Sequence, residues 1–547
     1  MMQVGVTSVG ALWLGAPSLR PVLATSPRGS TAGTTLQAAL RKAHGHGYHR
    51  LRVGPADPVI VRSELAAGRS GREDRRTGAG TLVQVSDLHI ADAQHPMRFE
   101  YLDRINGVGH RAHEMLGTQG TTALVGAINA LKVGPWSGRP IDAVMSTGDN
   151  TDNQSQVELE WLLGILAGGT VHPDSGTMDG YEGVANSGLK QYWQPGSHHS
   201  DAYKHHGFPH IPGLLEAATR PFVAPGLDFP WVLTMGNHDD VVGGMLGNRG
   251  YTDEWAVGGR KIFTAHDDAA YHLATMLKGV KAGDNANGLL HHLARSGHTR
   301  HVHADPRRRR FTGTEFVDML HQPQYAGAGP VGHGFTAGAD EQNLYFSYQA
   351  SSKVRVISLD TTNQAGGALG SIGTAQLSWL RAELRAATDS YVLVLSHHPS
   401  TTMTNLARDP RAPHERRHNG AAVLEVLHQF PNVVAWVNGH THHNKITPHQ
   451  HHDARRSFWE INSASHTDAP QQARVIEVVE NADGTISLFT TMLDAASPAA
   501  VSHDDLSTTG LASLYRELAY NDPQFKDRSG HTHDRNTELL LADPLGA

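Results

Sequence analysis

Asp87-Leu88-His89, Gly148-Asp149-Asn150, Gly236-Asn237-His238-Asp239, His397-His398-Pro399 and Gly439-His440-Thr441-His442 are short clusters of carboxylate, amide and imidazole side chains. Oxygen and imidazole ligands without thiolate suit Mn, Fe, Zn, Co or Mg. Asp87 and His89 stand two apart, so on an extended backbone they point the same way and can chelate one ion together. His440 and His442 share that spacing and can face two adjacent ions. Asp149 can bridge two cations with its two carboxylate oxygens. Asn237 offers a neutral carbonyl oxygen, which limits the negative charge and keeps the site attractive to an anionic substrate. Singly, each cluster has a plain structural reading: Gly-Asp-Asn is a turn signal, and Asp-x-His is a turn residue beside a hydrogen-bonded histidine. The chemistry is carried by their combination in this order.

Positioning falls to the elements just before them. Thr81–Ser86, Ile141–Ser146, Trp231–Met235, Tyr391–Ser396 and Asn432–Val437 are β-rich apolar runs, each leading directly into a cluster; Val354–Leu359 is a sixth run of the same kind. Amphipathic stretches at Thr122–Lys132, Gln156–Leu166, Thr374–Ala387 and Gly420–Phe430 lie between them. In the third, Leu377, Leu380 and Leu384 follow helical spacing. Alternation of strand and helix predicts an α/β core. In such sheets ligands bind beyond the carboxyl ends of the strands, where side chains are held more rigidly than on free loops.

The 547 residues are enough for several domains or one elaborated domain. With 39% hydrophobic residues the chain can bury a sizeable core, which excludes a disordered class. A net charge of -7 argues against nonspecific nucleic-acid binding. The absence of cysteine excludes disulfides, zinc-thiolate sites, iron–sulfur clusters and cysteine nucleophiles. No apolar run reaches the ~18 residues that would span a membrane. Val6–Ala16 resembles the apolar part of a secretory signal, without basic residues before it, so the reading expects export through a leader within residues 1–26. Residues 1–80 are read as a leader and N-terminal arm, 81–495 as the α/β domain, and 496–547 as a C-terminal tail with a short helix near Leu511–Tyr520. Two Gly-, His-, Pro- and Asp-rich segments, about 167–230 and 241–345, are read as insertions that roof or flank the site. The run Arg307–Arg310 is expected as a solvated surface patch.

The ordered set Asp-x-His, Gly-Asp, Gly-Asn-His-Asp, His-x-Pro and Gly-His-x-His, spread over residues 81–470, resembles the calcineurin-like metallophosphoesterase superfamily. The resemblance implies a four-layer α/β/β/α sandwich with two divalent or transition metal ions (Mn, Fe, Zn or Co) at one sheet edge. It implies that Asp87, His89 and His442 hold the first metal, that Asn237, His397 and His440 hold the second, and that Asp149 bridges them. His397 is selected over His398 because the family's ligand precedes the proline by two. His238 corresponds to the outer histidine near the leaving group, with Asp239 as its orienter. Asp152 stands where the purple acid phosphatase branch has a tyrosine, so no purple Fe(III) centre is expected. The activity implied is hydrolysis of small phosphate mono- or diesters by in-line attack of a metal-bridging hydroxide. The alternative is a non-catalytic metal-binding module of the same fold, and the intact ligand set argues against it.

Overall fold

The computed structural model describes residues 26–43, 47–103, 109–177, 179–247, 250–265, 268–278, 287–524 and 527–546. The expected leader lies outside them. In chain order the strands of the two large sheets are β1 (Ile60–Arg62), β2 (Thr77–Val85), β3 (Ala143–Ser146), β4 (Trp231–Leu233), β5 (Phe346–Gln349), β6 (Val354–Ser358), β7 (Tyr391–Leu395), β8 (Val433–Asn438), β9 (Lys445–His449), β10 (Phe458–Asn462), β11 (Gln472–Glu480), β12 (Thr485–Asp494) and β13 (Thr537–Ala542). The main helices are α1 (Gly117–Leu131), α2 (Gln156–Ala167), α3 (Thr374–Ala386), α4 (Gly420–Leu427) and α5 (Thr508–Asn521). One sheet has the order β1-β13-β12-β11-β2-β3-β4, the other β5-β6-β7-β8-β10-β9.

Period-two burial explains how the sheets stack. In β7, Leu393 and Leu395 join an apolar cluster shared with the first sheet. Val392 and Val394 turn the other way, against Leu377, Leu380 and Leu384 of α3 and Val423 and Val426 of α4. β8 repeats the pattern, with Ala435 and Val437 inward and Trp436 outward. Strands covered on both faces read as near-continuous apolar runs, as YVLVL does. Leu124, Ile128, Leu162 and Ile165 of α1 and α2 cover the first sheet. The layers are therefore helix, sheet, sheet, helix.

Strands β2, β3 and β4 are mutually parallel, as are β6, β7, β8 and β10. All five clusters follow parallel strands and leave at one edge of the sandwich. There the sheets are stitched together: the Gln84 side-chain amide donates to the carbonyl of Asn438 at 3.0 Å.

Three expectations are corrected. The terminal segments are not merely an arm and a tail: β1 pairs in parallel with β13, and β13 lies inside the first sheet next to β12. Neither run was long enough to announce a strand whose partner is more than 470 residues away. The arginine run is a solvated patch only in part: the Arg307 and Arg309 side chains are 41% and 44% exposed, those of Arg308 and Arg310 0% and 7%. Arg308 is fully buried on Asp92 and Ser175, while Arg307, Arg309 and Arg310 pair with Asp305, Glu315 and Asp253. Asp92 and Asp253 come from distant loops, which a local charge count does not see, whereas Asp305 and Glu315 are near neighbours in the chain. The backbone at the clusters is also not extended: Asp87, His89, Asp149, His440 and His442 all have positive φ, between 44° and 69°. Among the described residues, no helix is long and apolar enough to cross a membrane.

Candidate metal centre

Left-handed φ at five non-glycine residues is costly, of order 1 kcal/mol or more each, and persists only where surrounding contacts over-determine it. Those contacts are present. Asp87 N–H donates to the carbonyl of Gly148 at 3.0 Å, and His89 N–H to that of Asp149 at 2.9 Å, zipping the loops after β2 and β3 together. His440 N–H donates to both Asp87 oxygens, at 3.1 and 3.2 Å. Gly148, at φ 93°, has no room for a side chain: a Cβ there would lie 2.8 Å from both the Gly236 nitrogen and His397 Nδ1.

The seven expected ligands converge as two groups sharing Asp149. In the first, His442 Nε2 lies 3.3 Å from Asp87 Oδ1 and 3.2 Å from His89 Nε2, which is 3.5 Å from Asp149 Oδ2. In the second, Asn237 Oδ1 lies 2.9 Å from His397 Nε2 and 3.1 Å from His440 Nδ1. His397 Nε2 is also 3.2 Å from the same Asp149 Oδ2. His397 and His398 part company here. His398 lies within 4.8 Å of His397 and His440 by one ligand atom, but both of its ring nitrogens are engaged, by Thr361 Oγ1 and the Ala368 carbonyl.

The chemistry of this donor set fits cations. His397 Nδ1–H donates to the Thr147 carbonyl at 2.9 Å, so Nε2 carries a lone pair in the neutral ring. The Nδ1 atoms of His89 and His442 face the Asp152 and Asp468 carboxylates at 2.8 and 2.6 Å, which likewise turns their Nε2 lone pairs inward. The Asn237 amide nitrogen donates to the Gly244 carbonyl, leaving Oδ1 facing inward. Acceptors facing acceptors at about 3 Å repel unless a proton or a metal ion lies between them. Ligand atoms held about 2.0–2.2 Å from one ion stand about 3 Å apart.

Burial pushes the Asp149 carboxyl up, but His397 and His238 outweigh it and hold it well below the usual carboxylate range. Burial pushes His397 and His442 down, yet Asp149 and Asp87 respectively bring each up to about 9. His440 is pushed down to about 3 by burial and then by the neighbouring His397. Without metal, then, the cluster keeps two imidazoles protonated between its carboxylates.

His238 lines a cavity of about 350 Å³ beside these ligands, together with Arg98, Phe99, Arg111, Asp152, Met245 and Leu277. Gly243, Met245 and Leu277 come from the second insertion. The orienter expected of Asp239 is corrected: its carboxylate is fully buried and accepts from Gly236, Asn150 and Thr151 N–H groups. Asp239 thus ties two ligand-bearing turns together, and the carbonyl of Asp152 orients His238 by accepting its Nδ1–H at 2.8 Å. Asp152 and Asp468 are the residues that sequence reasoning missed as imidazole partners. Asp152 stands three residues after Asp149, a fixed spacing from a ligand that is the sequence signal for it. Asp468 lies 26 residues beyond His442 in a loop without any motif. Asn444 accepts from Ala464 N–H and Arg474 and is structural. His466 is buried away from the cavity, near the Tyr515 ring.

The model of the calcineurin-like phosphoesterase family matches residues 80–444. The chain belongs to that family. It is 30% identical over 113 residues to a glycerophosphodiester phosphodiesterase of Enterobacter lignolyticus, which covers 21% of this chain and 38% of that protein. It is 32% identical over 84 residues to a probable cyclic nucleotide phosphodiesterase of a Synechococcus species, covering 15% of this chain and 30% of that one. The chain thus spans only about a third of the length of these relatives, 38% of the first and 30% of the second. A dimetal phosphatase from Danio rerio is 13% identical, with 76% of this chain and 99% of that chain covered at a TM-score of 0.32.

Proposed function

We propose that the chain is a two-metal phosphoric ester hydrolase acting on small phosphodiesters. The observation that carries this reading is the ring of inward-facing ligand atoms of Asp87, His89, Asn237, His397, His440 and His442 around Asp149. Asp87, His89 and His442 would hold one ion, Asn237, His397 and His440 the other, with Asp149 common to both. When bound, such ions supply Lewis-acid polarisation of the phosphoryl group and lower the pKa of water toward ~7.

The chain's own residues do the rest. His238 lines the cavity with Nδ1–H fixed on a carbonyl, so Nε2 is the atom available to an ester oxygen. Burial pushes His238 below its ordinary value, so the resting ring is neutral. An anionic phosphoryl group beside Nε2 favours its protonation from solvent water, and the imidazolium then returns that proton to the leaving oxygen and becomes neutral again. Phe99, Met245 and Leu277 exclude water from one side of the cavity.

Two observations favour diesters. Among the described residues, the two guanidinium groups in the cavity wall are already paired, Arg98 with Glu114 and Asp152 and Arg111 with Asp468. A diester carries one negative charge near neutral pH and a monoester close to two, so a wall of neutralised cations suits the diester. The relatives matched over short stretches are themselves named as phosphodiesterases. Bis-(p-nitrophenyl) phosphate should be cleaved faster than the monoester by protein loaded with Mn, Fe, Zn or Co, and EDTA should abolish both reactions. Cleavage that survives complete chelation would refute the metal-dependent reading; a monoester preference would refute the substrate class.

A further inference from the structure

Two chains of hydrogen bonds run outward from one half of the candidate centre and meet again. His89 Nδ1 is backed by Asp152 Oδ1 at 2.8 Å, and the other Asp152 oxygen is bound by Arg98 Nη1. His442 Nδ1 is backed by Asp468 Oδ2 at 2.6 Å, and Asp468 Oδ1 accepts from Arg111 Nε at 2.7 Å. Both chains end on Glu114. Its Oε2 accepts from Arg98 Nη2 at 2.7 Å and from Arg111 N–H at 3.0 Å. Arg98 is 4% exposed at its side chain and bonds two carboxylates through two different nitrogens of its rigid guanidinium fork, Nη1 to Asp152 and Nη2 to Glu114. The other half of the centre is built differently. His397 and Asn237 are oriented by the backbone carbonyls of Thr147 and Gly244.

We propose that Arg98 and Arg111 are positioning residues that aim His89 and His442, through Asp152 and Asp468, at a single ion. The inference rests on reading the site as a two-metal centre. Neither arginine touches that ion. Each fixes a carboxylate, and the carboxylate fixes the tautomer and ring plane of an imidazole. Outer partners of this kind carry about 10–100-fold in metal affinity. Because the arginines reach only one half of the centre, the effect falls on one metal equivalent and spares the other.

The test is Co(II) titration of the purified chain, followed by its visible absorption, with metal content counted after gel filtration. Arg111→Ala and Asp468→Asn should each weaken one of two Co(II) equivalents by about 10–100-fold. The double variant R111A/D468N should be no weaker than the worse single variant, because both substitutions cut one chain. Arg98→Ala, Asp152→Asn and their pair should behave alike. If Arg98→Ala does not fold, Arg98→Lys replaces it, with the same loss expected. Added guanidinium should restore Co(II) affinity to Arg111→Ala but not to Asp468→Asn. Equal weakening of both equivalents, multiplicative losses in the pairs, or unchanged affinity in all variants would overturn the proposal. A wild-type chain that binds no Co(II) would instead refute the metal-centre reading itself, so the two failures are distinguishable.

Discussion

Asp149 places one carboxylate oxygen within 3.5 Å of an imidazole from each half of the centre, while its other oxygen accepts from His238 N–H at 2.8 Å. Replacing it removes the acid common to both halves. Asp149→Ala should lose at least one of two bound metals, measured by elemental analysis, together with nearly all diesterase activity; full metal content at full rate would show the centre to be misassigned. His238→Ala tests the leaving-group role. General acid catalysis is worth ~10²–10⁴-fold, so the rate should fall by that factor for an alkyl leaving group and by much less for p-nitrophenolate. An equal fall for both would place His238 elsewhere in the mechanism.

The same residues set a pH dependence. His397 and His442 sit at about 9 in the metal-free chain, above the ordinary value near 6.5. Their protonated forms therefore stabilise the metal-free fold fully below about 6.5, and that contribution is lost as pH rises through about 9. Metal must displace those protons, so metal affinity should rise over the same interval. Thermal melts of EDTA-treated protein should show Tm falling from pH 6.5 to 9, and calorimetry in buffers of different ionisation enthalpy should show protons released on metal binding. A flat Tm and no proton release would contradict this assignment.

At the scale of elements, the site depends on turns locked to one another. Asp239 accepts hydrogen bonds from both the Gly236 turn after β4 and the Asn150–Thr151 turn after β3. Leaving those buried N–H groups without an acceptor costs about 1–3 kcal/mol each. Asp239→Ala should therefore lower stability by several kcal/mol in denaturant titration and weaken metal binding as a consequence, whereas an orienter of His238 would lower the rate at unchanged stability. The spacing argument for Asp87 and His89 came from an extended backbone, yet both adopt left-handed φ. The residue types were legible; the way they are aimed was not. Pairing between the loops after β2 and β3 sets those dihedrals, and no local propensity encodes it. Conversely, β7 and α3 were readable almost residue for residue, because their burial is one-dimensional: alternate residues on a strand, and every third or fourth on a helix.

Across the whole molecule, the first sheet is closed by strands from the two ends of the chain. Leu539 and Leu541 of β13 are buried in the main core, and β13 stands between β1 and β12. Truncation before Thr537 should expose the edge of β12 and yield insoluble or unfolded protein, assayed by soluble yield and circular dichroism; a soluble, cooperatively melting truncate would show β13 to be dispensable. The second insertion packs its own apolar cluster, including Leu273, Leu277, Leu290 and Leu293, against Met97, Phe99 and Tyr101. It is joined to the same segment by Lys261, fully buried on Glu100 at 2.8 Å. The insertion is thus built onto the stretch that supplies Arg98 and Arg111.

The strand runs, the helices between them and the ordered ligand types could all be read along the chain, since each follows from a short-range period or from a residue's coordination chemistry. Three things required the folded molecule. They are the carboxylates behind His89 and His442, the true partner of Asp239, and the sheet made from both ends of the chain. Each is a contact between residues dozens to hundreds of positions apart, chosen by burial and hydrogen-bond satisfaction in three dimensions, and a linear pattern carries no trace of such a choice.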